Sequence, residues 1–263
     1  MTYPLIPVEW ESRFFGFPIG NIELPADYSS KSLDESLRRG QKIYRLIYVT
    51  LNKIGPAELP TSGAPCLCYD RNLTFKKSVP DNVPSLDTHV KAYTSSFCSK
   101  WLERLAVQSG VLTRFKQDPE LATQYERLFL TWINYSVTGE LADSIWTWRE
   151  ADKHVGLVTI RCVKHQNPDT GALEREGRIG MLAVDRDYRK QGIGTHLFDA
   201  CDFWCSSLDI PVISIVTQEE NEQTTALCEK LGYHLTDEES VYHYWSPGWV
   251  YDTRRGWIHR AKV

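Results

Sequence analysis

The sequence predicts an α/β (α+β) fold, a central mixed and mostly antiparallel sheet flanked by helices, with a smaller N-terminal α/β domain. Three observations predict it. Apolar residues recur at three- and four-residue spacing over 120–137 and again from Ile193 onward, which marks amphipathic helices. Short β-branched and aromatic runs at 43–49, 66–69 and 212–216 read as strands. Between the first two strands and the rest, the stretch 78–84 carries paired prolines with Asp81 and Asn82, a composition that disfavours helix and marks a connector.

These signals divide the chain into a small α/β domain at 1–79, a linker at 80–85, a main domain at 86–245 and an extension at 246–263. In the small domain, 32–39 reads as a short helix. After the linker, 90–108 shows helical spacing with few breakers. In the 120–137 helix, Leu121, Tyr125, Leu128, Phe129, Trp132 and Ile133 share one side, and Asp118-Pro119 supplies a cap and a first-turn proline. Residues 144–150 and 155–163 read as a hairpin, 167–171 as a loop, and 178–184 as a strand. The extension, with Trp249, Tyr251, Arg254, Arg255 and Trp257, either packs on its own domain or contacts a second copy.

A chain of 263 residues buries a full core. Its net charge of -4, with no polybasic run, gives no footprint for nucleic acid or a membrane surface. No apolar stretch reaches the length of a membrane span, and the N-terminus lacks the basic and apolar regions of a signal peptide. A cytoplasmic protein is expected. Seven cysteines cannot all pair within one chain. Cys66 and Cys68 are too close for an ordinary zinc knuckle, and Cys201 and Cys205 read as buried reduced thiols near a helix stripe that includes Ile193, Leu197, Trp204 and Leu208. No metal is expected.

The most informative stretch is Leu182-Ala183-Val184-Asp185 running on to Arg189-Lys190-Gln191-Gly192-Ile193-Gly194-Thr195. An apolar strand ends, a charged turn follows, and two glycines open a helix. Glycine lets the backbone approach a ligand, and the first N–H groups of a helix are unpaired and lie at the positive end of its dipole. This is the chemistry of a phosphate cradle, with Arg189 and Lys190 adding charge. The same glycine pair also suits a plain tight turn. A Walker loop does not fit, because Lys190 precedes the glycines, and a dinucleotide fingerprint would need a third glycine where His196 and Leu197 stand.

The loop resembles the Arg/Gln-x-x-Gly-x-Gly/Ala motif of the GCN5-related N-acetyltransferases, through Arg189, Gly192 and Gly194. The resemblance continues through Asn221 and Cys228-Glu229-Lys230-Leu231-Gly232-Tyr233. It implies acetyl-coenzyme A as cosubstrate, with the pyrophosphate at Arg189, Lys190, Gln191 and Gly192 and at Ile193, Gly194 and Thr195. Leu182, Ala183 and Val184 would hold the thioester through their backbone, and Asn221 belongs to the same site. Val8 to Phe17, Thr113-Arg114-Phe115, Trp132 to Ser136 and Tyr242 to Trp245 further resemble dTDP-fucosamine acetyltransferase-type enzymes. That resemblance implies a dTDP-aminosugar as acceptor and a homodimer.

Several roles stay open at this level. Arg114 suits a diphosphate or pairs with Asp118. Trp132 and Trp245 stack on a sugar or base, or pack in the core, as Phe14, Phe15 and Phe17 do. The proton for the departing thiolate is supplied in this family by a tyrosine, and here Cys228 holds that position. Either the Cys228 thiol serves, or it fills space and Tyr233, Tyr244 or water serves. A covalent route would need His234 or His243 beside Cys228. Glu9, Glu150 or a histidine ends a water chain as base. Other readings are transfer to a peptide N-terminus, an aminoglycoside or a polyamine, and a non-catalytic acyl-coenzyme A-binding protein.

Overall fold

A computed structural model of the protein describes residues 2–83, 85–166 and 171–260. In chain order the elements are β1 (Ile6–Pro7), α1 (Glu9–Phe15), β2 (Ile19–Leu24), α2 (Ser30–Gly40), β3 (Leu46–Leu51), β4 (Glu58–Leu59) and β5 (Cys66–Ser78). Then follow β6 (Val90–Ala92), α3 (Lys100–Ser109), α4 (Arg114–Gln117), α5 (Pro119–Ala122), α6 (Tyr125–Val137), β7 (Ser144–Glu150), β8 (Lys153–Gln166) and β9 (Leu173–Val184). The chain closes with α7 (Ile193–Ser207), β10 (Val212–Gln218), α8 (Glu222–Lys230), β11 (His234–Trp245), β12 (Trp249–Asp252) and β13 (Gly256–His259).

These elements form two compact units, one of Met1–Asn72 with Asp237–Val263, the other of Leu73–Thr236. The expected linker at 80–85 therefore falls inside the second unit. The division lies earlier because β5 is a single strand of 13 residues that runs out of one unit into the other without a break.

In the first unit β2 pairs in parallel with β3 across the α2 connection, and β3 pairs antiparallel with β11. Leu33 and Leu37 of α2 meet Ile22, Ile47 and Val49 in a core closed by Tyr242 and Tyr244. The extension at 246–263 belongs to this unit. Its β12–β13 hairpin lays Trp257 against Arg45, whose guanidinium carbon is 3.4 Å from the ring centre, and Trp249 Nε1 donates to the Gln41 carbonyl at 2.9 Å.

In the second unit the strand order is β5-β10-β9-β8-β7-β6, with β9 and β10 parallel and β6 to β9 antiparallel in sequence. The hairpin of β7 and β8 is present as expected, and 167–170 of the expected loop lie outside the described residues. The expected helix at 90–108 is only its second half. Val90–Ala92 is an edge strand on β7, because unpaired ladder positions there outweigh local helical spacing. The helix begins after Ser99, whose hydroxyl accepts from Leu102 N at 3.3 Å.

The expected 120–137 helix is likewise broken between Ala122 and Tyr125. Asp118 caps the first piece as expected, accepting from Glu120 N at 2.9 Å, with Pro119 in the first turn. On α7 the buried positions are Ile193, Leu197, Cys201 and Cys205. Trp204 is half-buried, and Leu208 is exposed because it is the C-cap residue, past the last turn. Burial pushes the Cys205 thiol up to about 12 and raises Cys201 as well, so both behave as apolar filler.

Candidate active site

The site begins with a fault in the ladder. On β8 and β9 the register shifts between Val158 and Ile160, so that Gly180 and Met181 together face Thr159. Thr159 Oγ1 accepts from Met181 N at 2.8 Å, and a Cβ on residue 180 would lie 2.9 Å from that oxygen, which is why glycine stands there. Beside this bulge the parallel pairing of β9 with β10 runs from Glu176–Val212 to Ile179–Ile215 and stops. From Gly180 to Val184 the β10 side of β9 has no ladder partner, so its backbone groups are left for something else to satisfy.

The end of β9 feeds the glycine loop. Asp185 is buried, its N–H donating to Val155 O at 2.8 Å, and a short 3-10 turn follows at Arg186–Tyr188. Lys190 and Gly192 both adopt left-handed backbone, with φ of 62° and 82°. Such bends turn successive N–H groups toward one concave side. Gly192 is the N-cap of α7, no side chain caps the helix, and no acidic residue stands in its first turn. A Cβ at 192 meets open space, so conformation rather than contact demands glycine. Arg189 Nε donates to Val184 O at 3.0 Å, which fixes its charge across the loop.

These parts line a cleft of about 580 Å³. Every residue expected at the coenzyme site except Gln191 lines it: Leu182, Ala183 and Val184; Arg189, Lys190 and Gly192; Ile193, Gly194, Thr195 and Asn221. The cleft thus combines an uncapped helix N-terminus, two cations and an open strand edge, a donor set that fits a pyrophosphate followed by an amide-bearing arm. Asn221 caps α8, its side chain accepting from Thr224 N at 3.4 Å, and so positions the opposite wall.

A second cavity of about 320 Å³ shares Ser109, Leu182, Asn221 and Thr224 with the cleft. Its apolar wall comes from Phe129, Trp132, Leu141, Met181, Ile215 and Val216, and its polar groups are hydroxyls and amides from Thr113, Ser136, Thr159, Thr217 and Gln218. None of its lining residues carries an ionisable side chain.

Trp132 is thus brought to the second cavity, half-buried and edge-on to Phe115 and Phe129 at 5.5 and 5.0 Å. Arg114 is not in either lining; its guanidinium lies over the Phe115 ring at 4.3 Å. Cys228 is fully buried inside α8 and lines neither cavity, and burial pushes its thiol up to about 12. Tyr233 is buried too, its ring under the Lys77 ammonium at 4.8 Å, and its hydroxyl has no hydrogen-bond partner among the described residues. Tyr244 lies in the first unit's core with its hydroxyl donating to Gln41 Oε1 at 3.2 Å.

The remaining candidates scatter. His243 is buried in the first unit between the rings of Tyr48 and Tyr69, each 4.8 Å away, and Trp245 packs on Phe17 there. His234 is exposed. Glu9 pairs with Arg13 on the surface of α1, and Glu150 accepts from Trp148 Nε1 at 2.8 Å. Residues that pattern alone did not single out include Gln108, Ser109, Thr224 and Leu227 in the cleft and Met181 and Thr217 in the second cavity. Only Phe129 had a legible signal, one helical step from Trp132 on α6.

Among known proteins, the family model of the acetyltransferase (GNAT) family matches residues 109–233. N-alpha-acetyltransferase 30 of Xenopus laevis is 34% identical over 94 residues, 36% of this chain and 32% of that protein. The chain therefore spans about a third of the length of the curated relative it matches. A GCN5-related N-acetyltransferase from Kribbella flavida superposes with a TM-score of 0.56 at 11% identity, covering 94% of this chain and 88% of that one. A tandem GNAT protein from the clavulanic acid biosynthesis pathway superposes with a TM-score of 0.52 at 14% identity, covering 87% and 75%. The match to the acetyltransferase (GNAT) family model, the open strand edge and the glycine-opened helix coincide on one segment, residues 109–233, and the superposed structures share its fold.

Proposed function

We propose that the protein is an acetyl-coenzyme A-dependent N-acetyltransferase in which the 580 Å³ cleft takes the donor and the 320 Å³ cavity takes the amine. The observation that carries this is the shared boundary of the two: Ser109, Leu182, Asn221 and Thr224 border both, so a thioester laid along β9 meets an amine at that junction. Arg189, Lys190 and the first turn of α7 hold the diphosphate. The edge of Leu182 to Val184 that faces away from β8 orients the arm and polarises the thioester carbonyl. Cys228 is too deep and too weak an acid to protonate the leaving sulfur, so the Thr224 hydroxyl at the junction is the donor that steadies it.

The acceptor we favour is the amine of a nucleotide-linked aminodeoxysugar. Hydroxyls and amides in the cavity suit sugar hydroxyls, and Phe129 and Trp132 offer faces to the apolar side of a ring. With no Arg or Lys in the lining, the diphosphate of such a donor-linked sugar lies outside the cavity, on the side of Thr113 and Arg114. A second reading, a peptide α-amine, is favoured by the name of the Xenopus laevis relative. Incubation with acetyl-coenzyme A and either dTDP-aminosugars or short peptides, followed by free thiol, tests both. Release with the sugar nucleotides alone supports the first reading; release with peptides alone replaces it by the second. Tight binding of acetyl-coenzyme A with no thiol from any amine leaves a non-catalytic binder.

A further inference from the structure

The lining of the second cavity has a consequence for chemistry that reaches beyond the identity of the acceptor. An amine attacks only as the free base, and most amines are protonated at neutral pH. Enzymes meet this with a positioned carboxylate or histidine that takes the proton. Here the groups that face the cavity are hydroxyls from α3, the α3–α4 turn, α6 and β8, hydroxyl and amide from β10, and Asn221 and Thr224 from the start of α8. None of these titrates near neutrality.

The titratable groups of the adjoining cleft are Tyr188, Arg189, Lys190, Glu220 and Glu222. The cations belong to the diphosphate end, and Glu220 and Glu222 are exposed and outside the lining of the second cavity. Glu176 is the buried carboxylate of β9, and it is already bound by Lys76 Nζ at 2.7 Å and Ser214 Oγ at 2.5 Å. Glu150 and Glu9 are outside both linings.

We propose that this site has no general base and selects acceptors whose amine is already substantially neutral at working pH. The inference rests on the reading of the second cavity as the acceptor site. The step balances without a protein base. The acceptor loses its ammonium proton to solvent before it binds. The neutral nitrogen's lone pair then forms the C–N bond to the thioester carbon, and the C–S bond breaks with its electron pair going to sulfur. The extra proton on nitrogen passes to that thiolate, directly or through water, giving an amide and a free thiol.

The substrate class follows. α-Amines, with ordinary values near 7.7–8.0, and amines beside electron-withdrawing oxygen are favoured over lysine side chains and polyamines near 10.4. The neutral fraction alone separates these groups by about 300-fold at neutral pH. A buried ammonium would also find no counter-charge in this lining, which adds to the exclusion.

The test is the pH profile of kcat/KM for two amines of the same shape, one fluorinated next to the amine to lower its pKa and one not, with acetyl-coenzyme A and thiol release as readout. Without a base, each profile is a single rising limb that levels at that amine's own pKa, and the two curves shift apart by the difference in pKa. A bell whose rising limb stays at one pH for both amines places a titrating base on the enzyme and overturns the proposal. So does an Nα-blocked lysine amide that matches an α-amino peptide amide at pH 7. Thiol release from no amine, with acetyl-coenzyme A still bound in a calorimetric titration, overturns the transfer reading itself and this inference with it.

Discussion

Among the described residues, the parallel strand–helix–strand crossovers β2–α2–β3 in the first unit and β9–α7–β10 in the second differ at the helix start and along the strands. In the first, α2 starts at Ser29, whose hydroxyl accepts from Ser32 N at 3.4 Å, and Ser29 N itself donates to Tyr3 Oη at 2.8 Å. The cap N–H and one first-turn N–H are thus served by side chains. In the second, α7 starts at Gly192 with left-handed backbone and no capping side chain. The strands differ as well. β2 and β3 pair along their whole described length, Ile19–Leu46 to Leu24–Leu51, whereas β9 leaves β10 after Ile179. A crossover whose hydrogen bonds are complete is a scaffold; one that withholds donors at the helix start and strand edge is built to receive a ligand.

The largest effect is expected where the second crossover departs most from the first. Gly192→Val forces a β-branched residue into left-handed backbone and distorts the loop, so acetyl-coenzyme A affinity should fall about 150-fold, roughly 3 kcal/mol, in a calorimetric titration. Affinity within a few-fold of the parent would break the claim that the glycine bend builds the cradle.

Next comes the charge under each strand pair. Beneath β9 and β10, burial alone would raise Glu176, but hydrogen bonds from Lys76 and Ser214 and the Lys76 and Arg178 charges hold it below the usual carboxylate range. Its stabilisation is therefore present above the ordinary carboxylate value and is lost as pH falls through the lowered one. On the first crossover Thr50 Oγ1 donates to Asn21 Oδ1 at 3.2 Å and the Tyr48 hydroxyl donates to Glu11 Oε2 at 2.6 Å, without a lysine–carboxylate pair like that on Glu176 among the described residues. Glu176→Gln should lower stability by about 2 kcal/mol at neutral pH and flatten its loss below about pH 4, read by thermal melts across pH. An unaltered acid limb would show that the two strand pairs do not differ electrostatically.

Smaller effects sharpen the same contrast. Arg189→Ala should weaken acetyl-coenzyme A by about 10-fold at low salt, with the gap narrowing as salt rises. At the other helix start, Ser29→Ala should cost about 1 kcal/mol of stability and leave acetyl-coenzyme A affinity unchanged. A Ser29→Ala protein that binds acetyl-coenzyme A more weakly would mean the first crossover is more than scaffold.

Local pattern was enough wherever neighbours in sequence are neighbours in space. The loop from Arg189 to Gly194, the Asp118 cap, the β7–β8 hairpin and the start of α7 are all short-range features, fixed by dihedral freedom, capping chemistry and periodicity. The same logic failed at 90–108, where a sheet edge claimed Val90–Ala92. At Cys228 local pattern left two roles open: the motif position was legible, but its depth was not.

By itself the sequence determined the glycine loop, because a loop of this kind is a run of consecutive backbone groups and needs only one segment. Tertiary structure alone decided the second cavity. Its lining is drawn from α3, α6, β8, β9, β10 and α8 and carries no ionisable group, and no single segment announces that combination. The bulge at Thr159 and the end of pairing at Ile179 open the space between them, and both are relations between strands that no one strand encodes.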